Sequence, residues 1–395
     1  MAKIAKDYKI TFFPVGNGDT TLITLKDGTT ILIDCNITKD SEDANIDEKY
    51  DIIGYLLDVI EKDSSKRPHL SAFILTHPDQ DHCRQFSKKF YLGDPNKYPE
   101  KETDKIIVDE LWFAPRIFNE HKNDLNEDAK ALRKEAERRI KIYKEDKQEK
   151  NDAGNRIRII GSTDNEDFDE LTSVITPAGK SINEINGNFQ DEFNFFVFGP
   201  IKAETDDSEV ERNQCSIVLK AQFNINSSEV NNVVILAGDS RVENWKRIMN
   251  INELDDLKFD IFLAPHHCSW YFFTDESYES KPTPDAEQEI LEFLNNSAEN
   301  GDDRVVVASC KEIKRNEDNP PHYRAKNLYV KAVGEDNFYC LSEYPSAETP
   351  KPLEFIFTES GPALEESVSE STSNFTSSMI SRASSPKTYG EINNG

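Results

Sequence analysis

The sequence predicts an α+β protein in which strands and helices alternate along most of the chain. Three observations predict it. Short, nearly continuous apolar runs recur at 70–76 (LSAFILT), 232–237 (NVVILA) and 259–264 (FDIFLA), and runs of that length are the mark of buried strands. Ile52, Ile53, Leu56, Leu57 and Ile60 fall at helical spacing within 48–62. The three apolar runs end in acidic or histidine-bearing loops, at His77, Asp239 and His266–His267. Ligand sites of layered folds collect at such loop ends.

The elements follow in order. Residues 8–14 (YKITFFP) form a first β-run, and 20–25 and 30–34 pair across Lys26-Asp27-Gly28, because Asp-Gly between two β-rich runs signals a hairpin. The strand at 70–76 stops at Pro78, which disfavours its continuation. Further strands are expected at 156–160, 171–176, 193–198, 215–223, 232–237, 259–264, 304–309, 338–341 and 353–357, and helices at 242–249, 285–295 and 322–330. Residues 124–150 are crowded with charge and sparse in Leu and Ile. They read as a solvated helix or helical hairpin inserted over 115–155, with a regulatory or docking arm as the alternative. From 362 onward Ser, Thr, Glu and Asn dominate, so a domain over 1–360 is expected to be followed by a disordered tail over 361–395.

Charge narrows the function. Lys and Arg number 47 against 74 Asp and Glu, a formal net charge of −27. A broad basic face for duplex nucleic acid is thereby excluded, although a local basic groove or a basic partner subunit can reverse the field locally. No run approaches the roughly 18–20 apolar residues that span a bilayer, so no membrane partner is expected. The first residues, MAKIAKDYKITFF, lack an apolar core with a cleavage site. The six cysteines are scattered without a CxxC pair and read as reduced thiols. A cytoplasmic protein is the expectation.

The chemistry concentrates in two histidine clusters. His77-x-Asp79-x-Asp81-His82 offers two imidazoles and two carboxylates within six residues, on a loop whose alternate side chains can face one site. Asp239 and one of His266 and His267 would complete the set from the other half of the chain. Neutral imidazole and carboxylate on converging loops suit divalent metals.

His-x-Asp-x-Asp-His after an apolar strand resembles the signature of the metallo-β-lactamase superfamily, in the variant of the ComEC-type DNA-uptake proteins and their soluble relatives. Val15-Gly16-Asn17-Gly18-Asp19, then Leu32-Ile33-Asp34, NQCSIVL at 213–219, Leu236-Ala237-Gly238-Asp239 and Pro265-His266-His267-Cys268-Ser269 follow in that branch's order, and NPPH at 319–322 is faintly similar to a late turn. The resemblance covers about residues 8–342 with 90–160 as an insertion, and it implies a four-layer αβ/βα sandwich. It implies two divalent ions, Zn²⁺ or Mn²⁺: one on His77 and Asp79, one on Asp81 and His82, with Asp239 bridging and His267 as the last ligand. Asp81 and His82 would carry the catalysis. Asp34 would orient a ligand histidine; Asp19, His266, Ser269, His322 and Arg84 would line the site or meet substrate, Arg84 alternatively pairing with a surface carboxylate. The extra oxygen donor at Asp79 tilts preference toward harder ions such as Mn²⁺.

The activity so implied is metal-dependent hydrolysis, a phosphodiesterase or nuclease using a hydroxide activated by two metals, with nucleic acid or a nucleotide phosphodiester as substrate. A defence-type complex with a partner protein subunit is the implied setting. The sequence departs from the pattern in two ways. His121 is the one histidine between the first cluster and Gly238-Asp239, and Cys83-Arg84 and Cys268 replace the usual glycines. A catalytically silent subunit is therefore one alternative, and a hydrolase of esters, lactones or thioesters another. Gly179-Lys180-Ser181 lacks the earlier glycine of a phosphate-binding loop. The run Trp270-Tyr271-Phe272-Phe273 reads as core or pocket wall, or as a base-stacking platform at the site mouth.

Overall fold

The computed structural model describes residues 7–39, 50–99, 104–120, 124–206, 212–227, 229–276, 284–295, 303–316 and 318–365. Two large sheets carry the fold. In the first, the strand order is Ile175–Thr176, Arg156–Ile160, Ile106–Phe113, Pro68–Ile74, Thr30–Ile33, Thr21–Thr24, Tyr8–Phe12, Leu353–Thr358 and Gly361–Leu364. In the second it is Ser181–Ile182, Phe193–Gly199, Val218–Phe223, Asn232–Leu236, Ile261–Leu263, Val305–Ala308 and Phe338–Cys340. Each sheet combines an antiparallel part with a parallel one: Thr30–Ile33, Pro68–Ile74, Ile106–Phe113 and Arg156–Ile160 run parallel in the first, and the last four strands do so in the second.

Side-chain alternation explains the layering. Ile31, Ile33, Ala72, Ile74 and Trp112 meet Phe195, Leu219, Val234, Leu236 and Leu263 in one core. Their neighbours Leu32, Phe73, Leu111 and Phe113 point to the opposite face, onto helices Ile52–Val59 and Glu127–Lys144. A third core packs Val233, Ile235, Phe262 and Val306 against helices Val242–Ile251, Gln288–Leu294 and Tyr323–Val333. The α+β sandwich expected from the sequence is therefore present, with helices on the outer face of each sheet.

Three expectations are corrected. Residues 90–160 are not an insertion: Ile106–Phe113 is a wholly buried strand inside the first sheet. Asp109 and Glu110 interrupt its apolar run, and they are accommodated by His69 Nδ1 at 2.6 Å from Asp109 Oδ1 and by the Asn186 N–H, which donates to Glu110 Oε2 at 2.8 Å. Residues 171–176 are mainly a 3-10 helix, Glu166–Val174, followed by two strand residues. The chain also continues past 360 in the strand Gly361–Leu364, which pairs with Leu353–Thr358. The remainder of the expected tail, 366–395, lies outside the described residues.

The charged stretch is a helix, as expected, but neither solvated all round nor an arm. Glu127–Lys144 is the crossover between the parallel strands Ile106–Phe113 and Arg156–Ile160. Asn126 caps it by accepting from the Ala129 N–H at 2.9 Å. Ala129, Leu132, Ala136 and Arg139 turn one stripe inward. Buried Arg139 pairs with Glu135 at 2.8 Å and donates to the carbonyls of Val108 and Arg156 at 2.8 and 2.9 Å. At its other end Asp128 accepts from the backbone N–H groups of Gln85 and Ser87 at 2.8 and 3.0 Å. The helix thus braces the segment that follows His82.

Arg139→Met should lower stability by about 3 kcal/mol, since it strips two strand carbonyls and part of Glu135 of a buried partner. Lys141→Met on the exposed face should leave the urea midpoint unchanged. Equal midpoints for the two variants would contradict an integral crossover helix.

Candidate functional site

The site forms where the carboxyl ends of parallel strands in both sheets meet. Thr30–Ile33 delivers Asp34, Pro68–Ile74 delivers the loop from Thr76 to His82, Asn232–Leu236 delivers Asp239, and Ile261–Leu263 delivers His266 and His267. Gly18, at φ +138°, brings a fifth segment close: a Cβ there would lie 2.1 Å from Asn36 Nδ2 and 2.7 Å from the Asp81 carbonyl. That approach lets the Gly18 N–H reach His267 Nδ1 at 3.1 Å and the Asp19 N–H reach the Asp81 carbonyl at 3.2 Å.

Asp34 is fully buried and spends both oxygens on positioning. Its Oδ1 accepts from the Thr76 N–H at 2.8 Å; its Oδ2 accepts from Thr76 Oγ1 at 2.6 Å and lies 2.7 Å from His82 Nδ1. The His82 proton is thereby assigned to Nδ1 and the Nε2 lone pair turned into the site. His267 Nδ1 lies 3.1 Å from two groups, the Gly18 N–H and the Ser309 carbonyl. It can serve one of them at a time, and only the tautomer that donates to Ser309 leaves an Nε2 lone pair facing inward, as metal binding needs.

Asp239 sits at the centre, buried. Its Oδ1 is 3.2 Å from His82 Nε2 and 3.4 Å from His267 Nε2. Its Oδ2 is 3.6 Å from both His77 Nε2 and His266 Nε2. Asp79 Oδ2 stands 3.6 Å from His77 Nε2, and Asp81 Oδ2 stands 3.3 Å from His267 Nε2. Donors that share one ion at about 2.1 Å sit roughly 3–3.5 Å apart. The Nε2 atoms of His77, His82 and His267, together with Asp239 Oδ1, are buried and lack hydrogen-bond partners, a costly arrangement unless a ligand completes it. Asp19, His82, Asp239 and His267 each offer one atom, all within 4.8 Å of one another. This cluster can hold a metal ion.

Electrostatics match. Burial would lower the imidazoles of His82 and His267, but Asp239 outweighs it, helped by Asp34 for His82 and Asp81 for His267; both are held well above their ordinary value. Burial would raise Asp239, yet His267, His266, His82 and His77 hold it well below the carboxylate range. Burial pushes Asp19 up to about 6 and His266 down to about 4.

The remaining residues named from the sequence take supporting places. Ser269 is buried; its hydroxyl donates to Asn319 Oδ1 at 3.0 Å and accepts from the Tyr271 N–H at 3.2 Å, which fixes the turn. His322 packs on Trp270, with centroids 5.4 Å apart, and its N–H donates to the Cys268 carbonyl at 3.0 Å. Arg84 Nε donates to Asn36 Oδ1 at 2.8 Å. Trp270, Phe272 and Phe273 are buried core, which leaves only Tyr271 of that run partly exposed, beneath the Arg241 guanidinium at 4.9 Å. Cys83 and Cys268 are buried, and burial pushes both thiols up, away from thiolate. His121 lies outside the described residues. Sequence reasoning missed Arg212, whose Nη1 lies 2.8 Å from Asp79 Oδ1; nothing in its local sequence marks it.

Two outcomes follow from this geometry. Asp34→Asn should weaken metal binding by about 10- to 100-fold, read by calorimetry, because it disturbs the His82 tautomer and orientation. In metal-free protein the raised histidines stabilise fully below their ordinary value of 6.5 and lose that contribution as pH rises through their folded values, while Asp239, depressed, contributes above 3.8. The melting temperature of chelated protein should therefore fall as pH rises above about 6.5. Metal-loaded protein, whose imidazoles must be neutral, should not follow that fall. Parallel pH profiles of the two forms would argue against a metal in this cluster.

No helix among the described residues is long and apolar enough to cross a membrane. Neither protein-family models nor curated proteins match the sequence. What the chain does must therefore be read from the site.

Proposed function

We propose that this chain is a metallo-β-lactamase-like, metal-dependent hydrolase of phosphodiesters, with nucleic acid or a nucleotide as substrate. One observation carries the reading: the two oxygens of Asp239 face two different donor sets. Oδ1 faces His82 and His267, with Asp81 beside them; Oδ2 faces His77 and His266, with Asp79 beside them. A carboxylate so shared suits two ions, and His266 would fill the place of the histidine missing from the middle of the sequence. The mixed imidazole and carboxylate donors suit Mn²⁺ or Zn²⁺.

A pair of bound divalent ions would supply a nucleophile at neutral pH and offset the charge that develops on phosphorus-bound oxygen. The protein's own part is orientation and charge. Asp34 holds His82 Nδ1, and the Ser309 carbonyl holds His267 Nδ1. Asp81 is the most exposed site carboxylate, at 35%. Despite its partial desolvation the His267 contact keeps it below the usual carboxylate range, so its Oδ2 stays ionised and suits holding a cation beside His267 rather than taking up a proton. The chain's net charge of −27 favours a short nucleotide substrate, or a partner subunit that holds a longer nucleic acid.

The test is hydrolysis of single-stranded DNA, double-stranded DNA and bis-p-nitrophenyl phosphate with Mn²⁺, Zn²⁺ and Mg²⁺ in turn, with metal content measured on the same samples. Wild type should cleave at least one diester. Asp81→Ala and Asp239→Ala should each lose at least about 100-fold in rate. Absence of bound metal would point instead to a silent subunit. Preference for p-nitrophenyl acetate would point to ester hydrolysis.

A further inference from the structure

We propose that Arg212 is the anion anchor of this site, taking the non-bridging oxygens of a phosphoryl group bound beside Asp239. The proposal rests on the phosphodiester reading for its substrate class, but it makes a claim of its own about binding. Arg212 opens the turn Arg212–Cys215, between the strands Phe193–Gly199 and Val218–Phe223 of the second sheet. The turn is firmly held. Asn244 Nδ2 donates to the Gln214 carbonyl at 2.6 Å, and the Ile217 N–H donates to the Thr76 carbonyl at 3.0 Å. Asn213 Nδ2 reaches to 3.4 Å from His266 Nε2. The turn therefore closes over the His77, Asp79 and His266 side of the site.

The Arg212 side chain is 30% exposed, whereas the side chains of His77 and Asp239 are 0% and 4% exposed. The guanidinium thus stands at the mouth, above the buried donors. Among the described residues it meets Asp79 Oδ1 at 2.8 Å and, more loosely, Glu120 Oε2 at 3.8 Å. Glu120 is itself held by Arg116 Nε at 2.7 Å. A guanidinium carries five N–H donors in a planar fork that matches a two-oxygen anion. Asp79 and Glu120 use part of that fork and leave room for an incoming oxyanion. Four carboxylates line the cluster, and the chain as a whole repels anions. A cation in contact with the site is what an anionic substrate needs there. A neutral ester offers the guanidinium no charge-assisted contact, so the residue also discriminates between substrate classes.

The experiment compares wild type, Arg212→Ala and Arg212→Lys in the metal-loaded protein. Inorganic phosphate binding is read by calorimetry, KM for bis-p-nitrophenyl phosphate by kinetics, and metal content by elemental analysis. With alanine, the phosphate Kd and the diester KM should both rise by about 10- to 100-fold, as loss of a charge-assisted contact requires. Lysine should restore part of the loss, and metal content should not change. Unchanged phosphate affinity in Arg212→Ala would overturn the proposal, as would a wild type that binds no phosphate. Loss of metal in Arg212→Ala would overturn it too, because the residue would then act only through Asp79. A wild type that binds phosphate through Arg212 but cleaves no diester would defeat the hydrolase reading and leave the anchor standing.

Discussion

The contact between His82 Nδ1 and Asp34 Oδ2, at 2.7 Å, organises the site. Asp34 is left-handed at φ +56° and joins two short strand segments without exposing any surface. Its N–H donates to the Ile74 carbonyl at 2.9 Å, so the residue also ties its strand to Pro68–Ile74. The Thr76 hydroxyl, bound to Asp34, lies 3.1 Å from His77 Nδ1. One carboxylate therefore orients His82 directly and reaches His77 through a single hydroxyl. Both rings then present Nε2 to Asp239. Rotation of either ring would be opposed by a buried group left without its partner.

The cluster balances charge in a way that depends on a cation. Asp239 and Asp19 lie in one buried space but shift in opposite directions. Asp239 is surrounded by four imidazoles and held low, while Asp19, under burial and the fields of Asp239 and Asp34, rises to about 6. Protonated His82 and His267 offset the carboxylates when protons are the only cations available. Divalent ions offset the same carboxylates with neutral imidazoles. The surrounding chain, at −27, deepens the preference for positive charge at this point.

Much of this was legible in the sequence, for identifiable reasons. Apolar runs that stop at Pro78, Gly238 or Pro265 mark strand ends, and polar residues just beyond them belong to one edge of the layered fold. That is why His77, Asp79, Asp81, His82, Asp239 and His267 could be grouped without coordinates. The strand Ile106–Phe113 was hidden because Asp109 and Glu110 break its apolar pattern, and their partners His69 and Asn186 come from distant segments. The helix Glu127–Lys144 looked like an appendage because Arg139 and Glu135, charged yet buried, occupy its inner stripe. Arg212 was invisible because its meaning comes from Asp79, far away in sequence. In these three cases a buried or bridging charge has a partner far away in sequence: His69 for Asp109, the Val108 carbonyl for Arg139 and Asp79 for Arg212.

Local preference gives way most sharply at the site itself. His266, His267 and Cys268 are all left-handed, at φ +48°, +55° and +65°, where each non-glycine residue costs about 1 kcal/mol or more. Three successive left-handed residues do not persist unless their surroundings over-determine them. The His266 N–H donates to the Gly238 carbonyl at 2.9 Å, and the Cys268 carbonyl accepts from the His322 N–H at 3.0 Å. The Ser269 turn closes on Asn319. Cys268 occupies a backbone conformation that glycine would adopt without strain, and in exchange its side chain is packed in the third core. The strained turn sends His266 toward one oxygen of Asp239 and His267 toward the other. A relaxed helical or extended backbone would not splay adjacent side chains onto the two oxygens of a single carboxylate in this way. The strain is thus the structural condition for the two-sided use of Asp239.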